Sequence, residues 1–207
     1  MIITAWSAGQ TVTIDELAHR VPASAAREYR ASTKALENGK LAASIAHCQK
    51  ALETDPDNAA AHNDLGVLYL SDGQAEKART EFQRAAALQP RLAMAYINES
   101  FALLALDRPG DAEQSARKAL EILPLDRRAN LLFGWSLRAQ LRFSKEALLA
   151  LQSAAREYPE AHLAAADVLI HQGSIEDARQ EVQAYLASGN ADQKVLAEAW
   201  LRLLTIK

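Results

Sequence analysis

Four prolines set a ruler along this chain: Pro56, Pro90, Pro124 and Pro159 stand 34, 34 and 35 residues apart. Each has an alanine five residues ahead of it, at Ala51, Ala85, Ala119 and Ala154. Seven residues before each alanine stands another small residue, at Ser44, Ala78, Ala112 and Ala147. Self-similarity at such a period marks an array of stacked units, each burying its apolar face only on its neighbours. A chain of 207 residues built this way needs no single large core. It presents an extended surface, so binding is the default expectation.

The segment Ala59–Leu92 shows the unit most clearly. Leu65, Leu68 and Tyr69 form an i, i+3, i+4 apolar face. Gly73 breaks that helix, where a left-handed conformation is cheap. Ala75, Ala78, Phe82, Ala85 and Ala86 then line a second helix, which Pro90 stops. Gly66 and Ala78 are expected where the two helices cross, with Tyr69 and Phe82 filling the space around them. Asn58, Asp72, Asp107 and Ser144 stand near helix starts as candidate caps.

His62, Leu65, Gly66, Tyr69, Ala78, Phe82, Ala85 and Pro90 together resemble the signature of the tetratricopeptide repeat (TPR) family, with His62 where the family has an aromatic residue. The resemblance covers five units: 25–58, 59–92, 93–126, 127–158 and 159–190. It implies an all-α fold, a right-handed superhelical solenoid of antiparallel helix pairs. Residues 191–207 read as a C-terminal capping helix, with Val195, Leu196, Ala199, Trp200, Leu203 and Leu204 in one apolar stripe. Residues 1–24 form a leader, partly extended over Thr11–Ile14.

The repeats are not identical. Unit four carries one extra residue near Leu141–Phe143, which predicts a longer internal turn. Ala147 and Ala178 are only 31 residues apart, which predicts a tighter connection after Pro159. Unit three places Glu99 where unit two has Leu65, turned toward the helix pair, where a lone carboxylate is costly. An arginine such as Arg108 or Arg138 would relieve it, and a polar contact to a ligand is the other reading.

Catalytic signatures are missing from the sequence. The five histidines, at 19, 47, 62, 162 and 171, form no zinc-binding pair, and one cysteine, Cys48, forms no cluster. Glycines occur singly, without a phosphate loop. The chain therefore reads as a non-enzyme with no cofactor and no metal. Its net charge of −3 gives no pull toward nucleic acid, and no apolar run is long enough for membrane insertion. It is expected to be soluble and cytoplasmic unless a signal precedes Met1.

The resemblance implies a protein or peptide partner held in the groove lined by the first helix of each unit. Carried onto this sequence, the groove takes Tyr29 and Thr33 from unit one, and Asn63, Val67 and Leu70 from unit two. Ile97, Asn98, Phe101 and Leu104 follow from unit three, then Leu131, Trp135 and Arg138, and finally Leu163, Asp167 and Ile170. The family's clamp for acidic C-terminal tails is not matched, because the corresponding positions hold Tyr29, Thr33, Asp64, Met94 and Asn98. An aspartate there would repel a carboxylate. A homodimer through apolar terminal surfaces, or a regulatory part of a larger envelope or secretion protein, are the other functions that fit.

Overall fold

The computed structural model describes residues 21–205. Readings made above for residues 1–20, including the extended stretch at Thr11–Ile14, lie outside them. Eleven helices and no strands occur among the described residues. The chain divides into two compact units, one up to Ala102 and one from Leu103.

In the first unit, α1 (Ala23–Glu37) pairs with α2 (Leu41–Thr54), and α3 (Ala59–Ser71) pairs with α4 (Ala75–Leu88). The helix α5 (Ala93–Ala105) follows. In the second unit, α6 (Pro109–Ile122) packs on α7 (Arg127–Ala139), which pairs with α8 (Lys145–Ala154). The pair α9 (Glu160–His171) and α10 (Ile175–Ala187) is followed by α11 (Lys194–Thr205), which packs on α10.

Close approach of paired helices rests on a small residue in the first helix of each pair. A methyl group added at Gly66 would lie 2.5 Å from the Phe82 ring, and one at Gly134 would lie 2.5 Å from Leu151. Phe82 and Leu151 are fully buried. At the equivalent place in α9 the residue is Ala166, in one core with the smaller Val182. In α1 it is Ser32, whose hydroxyl lies 2.9 Å from both the hydroxyl and the carbonyl of Ser44. The opposing residue there is Cys48, a small apolar side chain 2% exposed. Glycine thus meets the bulky partners, and serine or alanine meets the smaller ones.

The turn inside each pair repeats one backbone solution. Gly39, Gly73 and Gly173 have φ of 69°, 74° and 78°, and Asp107 and Leu141 have φ of 55° and 57°. In each turn the next residue's N–H bonds back five residues, as from Gln74 to the Tyr69 carbonyl at 2.8 Å and from Arg142 to the Leu137 carbonyl at 3.0 Å. This is a Schellman closure, which satisfies carbonyls that the helix end leaves free. Asp107 therefore serves the turn rather than capping α6. Asp72 likewise follows the end of α3 and takes a hydrogen bond from Gln74 instead of capping α4. Asn58, Asp126 and Ser144 are true caps, accepting from the N–H of Ala61, Ala129 and Ala147 at 3.0, 2.8 and 3.2 Å.

Two irregularities have local causes. The connection from α7 to α8 runs over residues 140–144, against residues 72–74 between α3 and α4. Glu113 of α6 holds this longer turn, accepting from Gln140 at 2.9 Å and from Arg142. The connection between α8 and α9, at 155–159, is not tighter than 55–58 or 89–92. Helix α9 begins directly after Pro159, whereas α3 begins three residues after Pro56, and α8 gives up its last turn to supply the missing length. The three-residue contraction is absorbed in the helix, not in the connection.

Leu141 gives a direct test of the turn. A non-glycine residue in the left-handed region costs roughly 1–2 kcal/mol, and glycine returns part of that through its freedom in the unfolded chain. Leu141 is 75% exposed, so little packing is lost on truncation. Leu141→Gly should raise unfolding free energy by about 0.5–1 kcal/mol in denaturant titration. A lower midpoint would contradict this account of the turn.

Candidate ligand-binding surface

Within the first unit, α3 divides its residues between two faces. Leu65, Gly66, Leu68 and Tyr69 are buried against neighbouring helices. Asn63, Val67 and Leu70 are half-buried and Asp64 is exposed, on a second face of the helix. Tyr29 and Leu36 of α1 pack on the same core as Val67 and Leu70. Thr33 is exposed, its hydroxyl donating to the Tyr29 carbonyl at 3.1 Å. Tyr29 donates its hydroxyl to Asp55 at 3.2 Å, and Asn58 donates to the same carboxylate oxygen at 2.8 Å. Asn98 donates to Asn63 across 35 residues of chain at 2.9 Å, which links α5 to α3. Phe101 is half-buried.

Several residues expected in the groove are packed inside instead. Ile97 is fully buried, and Asn98, Leu131 and Leu163 are at most 4% exposed. Leu163 shares a core with Ala178, Val182 and Tyr185 of α10 and Ala197 of α11, and Asn98 is bonded to Asn63 of α3. The expectation of accessible groove side chains is corrected for these four. In the second unit, Leu104, Trp135 and Ile170 are half-buried. Arg138 is exposed and donates from Nε to Asp167 at 2.5 Å, joining α7 to α9. His171 donates from Nδ1 to the Asp167 carbonyl at 2.9 Å, and its ring stacks on Phe143 at 3.7 Å between centroids. The sequence reading missed Phe143, because it sits in the extra turn where the repeat register stops being informative.

Burial and nearby carboxylates shift several groups of the first unit. Burial, with Asp55 and then Asp64 nearby, pushes the Tyr29 phenol well above its ordinary value. Burial, Asp64 and Glu81 push the Cys48 thiol up to about 12, so it is no nucleophile. Its Sγ instead contacts the Ala61 carbonyl at 3.7 Å. Asp64 combines an exposed side chain with a carboxyl pushed up to about 6 by the protein around it. Asn63 opposes the shift by hydrogen bonding.

His62 and His162 occupy one repeat position and do more than fill space. Each Nδ1 lies 2.6 Å from a carboxylate of the paired helix, Glu81 and Glu181 respectively. The His62 Nε2 also lies 3.0 Å from the Pro56 carbonyl. Burial lowers the His62 pKa, and these two hydrogen bonds outweigh it to leave the value raised. Unit one reverses the pair, with His47 Nδ1 at 2.8 Å from Glu28. Glu99 is buried and accepts from the Gln83 amide at 2.8 Å. No group of three metal-ligating side chains occurs among the described residues, and none of their helices is long and apolar enough to cross a membrane.

Comparison with known proteins agrees with this geometry. Tetratricopeptide repeat family profiles match residues 35–97 and 131–193, together more than half of the chain. No curated protein sequence matches. Among solved structures, MamA (residues 41 to the end) from Desulfovibrio magneticus RS-1 superposes with a TM-score of 0.74 at 16% identity, covering 81% of this chain and 96% of that one. PilF of Pseudomonas aeruginosa gives 0.70 at 21%, covering 87% and 88%. YrrB, described as a TPR protein with an unusual peptide-binding site, gives 0.67 at 20%, covering 79% and 85%. At these identities the likeness is one of fold. The repeat register, the glycine crossings and both profile matches agree, and the chain belongs to the tetratricopeptide repeat family.

Proposed function

We propose that this chain is a non-catalytic protein-interaction scaffold whose first unit holds a peptide or protein segment on the accessible face of α3. The observation that carries the reading is the partial exposure of Val67 and Leu70 beside Tyr29 and Asn63, apolar contacts framed by polar groups. That mixture suits an anchor: an apolar side chain is desolvated at the centre, and hydrogen-bonding groups at the edge fix its orientation. The peptide-binding site named for YrrB, a protein of the same fold, supports the reading. Trp135, Arg138, Asp167 and Ile170 extend the proposal to the second unit as a separate surface.

Selection from a random peptide library on the immobilised full chain tests it. Bound peptides should lose about tenfold or more in affinity, about 1.4 kcal/mol, on Val67→Ser with Leu70→Ser. Circular dichroism checks that the fold is kept. Undiminished affinity would contradict the assignment.

A second reading is favoured by α11, where Val195, Leu196 and Leu203 are 81%, 45% and 67% exposed. This unpartnered stripe fits a homodimer through a terminal surface. Light scattering should then show a dimer that becomes a monomer on Leu196→Glu with Leu203→Glu. A monomeric wild type at micromolar concentration would exclude it.

A further inference from the structure

We propose that a groove beside α8 docks an acidic protein segment, with a large apolar side chain against Leu125 and Leu149 and a neighbouring carboxylate paired with Arg156. None of these residues belongs to the surfaces proposed above, so the inference goes beyond that reading.

The groove has a volume of about 470 Å³. It is lined by Leu125 of the connection before α7, Arg127 of α7, Leu149, Gln152 and Ser153 of α8, and Arg156 just past the end of α8. Leu125 and Leu149 are 86% and 56% exposed, so the fold does not use them as core. The repeat does not call for them either. In the two preceding units the places of Leu125, Leu149 and Arg156 are held by Asp57, Thr80 and Ala87, and by Arg91, Gln114 and Glu121. In the following unit they are held by Glu160, Gln180 and Ala187. Helix pairs form in those units with polar or small residues at these places, so the two leucines beside an arginine serve a contact outside the shared fold.

Charge complementarity sets the partner. Arg127 donates from Nη1 to Glu157 at 3.2 Å, and Gln152 donates to Glu181 at 2.8 Å, so both carboxylates are engaged. Arg156 is exposed and pairs with no carboxylate among the described residues. Lys145, four residues before Leu149 on the same exposed face of α8, is likewise without one. A groove lined by leucines and a free guanidinium complements an apolar side chain next to a carboxylate. An anionic membrane surface is held by clusters of about 4–8 cations, so two favour a protein segment instead.

Differential selection from a random peptide library tests the proposal. The library is panned on the full chain and on two double variants, Leu125→Gln with Leu149→Gln and Lys145→Gln with Arg156→Gln. All four side chains are exposed, so both variants should keep the fold, as circular dichroism checks. Peptides that bind the wild type and are lost on the leucine variant should carry Leu, Ile or Phe next to Asp or Glu. Their affinity should fall about tenfold on the leucine variant and about fivefold on the cation variant. It should be unchanged on Val67→Ser with Leu70→Ser, which separates this groove from the α3 surface. Replacing the acidic residue of a selected peptide by its amide should remove the difference between the wild type and the cation variant. Selected peptides that never depend on Leu125 and Leu149, or dependent ones without an acidic residue, would overturn the proposal and leave the α3 reading standing. Binding to vesicles containing phosphatidylserine that is lost on the cation variant would assign the groove to a membrane surface and overturn it as well.

Discussion

Everything in this chain depends on how closely two helices of one pair can approach. At Gly66 the Phe82 ring occupies the space that a side chain would need, and at Gly134 Leu151 does the same. The small residue lets the backbones come together, and the bulky one occupies the space a side chain would need, so the pair packs closely. Two helices of about 13 residues would be marginal alone. Locked in this way, they become a building block whose outer faces are left to meet neighbours.

Polar pairs add orientation to that packing. The His62–Glu81 and His162–Glu181 contacts span the same 19 residues of chain in two different units, and Glu28–His47 repeats the span with the partners exchanged. Each ties the first helix of a pair to the second at a fixed height. Glu113 plays a related part in the second unit, held by Arg117 at 3.0 Å and by Arg142 of the long turn. Burial would raise its pKa, but hydrogen bonds from Gln140 and Arg117 and the charges of Arg142 and Arg117 leave the carboxyl below the ordinary range. Side chains on the outer faces can stay fixed because their supports are fixed behind them.

The repeat was legible from the prolines, the glycines and the alanines because those residues answer to backbone and crossing geometry, which recurs identically in every unit. Helix pairs and the longer turn at residues 140–144 followed from spacing alone. The contraction after Pro159 was visible, but its consequence was not. Whether a chain shortens a connection or unwinds the end of α8 depends on what the last turn packs against, and no periodicity records that. The candidate surface was legible only in part for the same reason. The register identifies the first-helix positions, yet Ile97, Leu131 and Leu163 are buried while Val67 and Trp135 stay half-buried. Asp64 stood one residue from Asn63, and the sequence showed only that its charge repels a carboxylate. The field around Tyr29 and Cys48 needed the folded arrangement.

A double-mutant cycle on Gly66 and Phe82 tests the size complementarity of the paired helices most directly. Gly66→Ala should cost about 1–3 kcal/mol of unfolding free energy in the wild type, because overpacking outweighs the ~1 kcal/mol that alanine gains in helix propensity. In the Phe82→Leu background the same substitution should cost markedly less, with a coupling of about 1 kcal/mol or more. An alanine that stabilises the wild type, or costs the same in both backgrounds, would contradict the account.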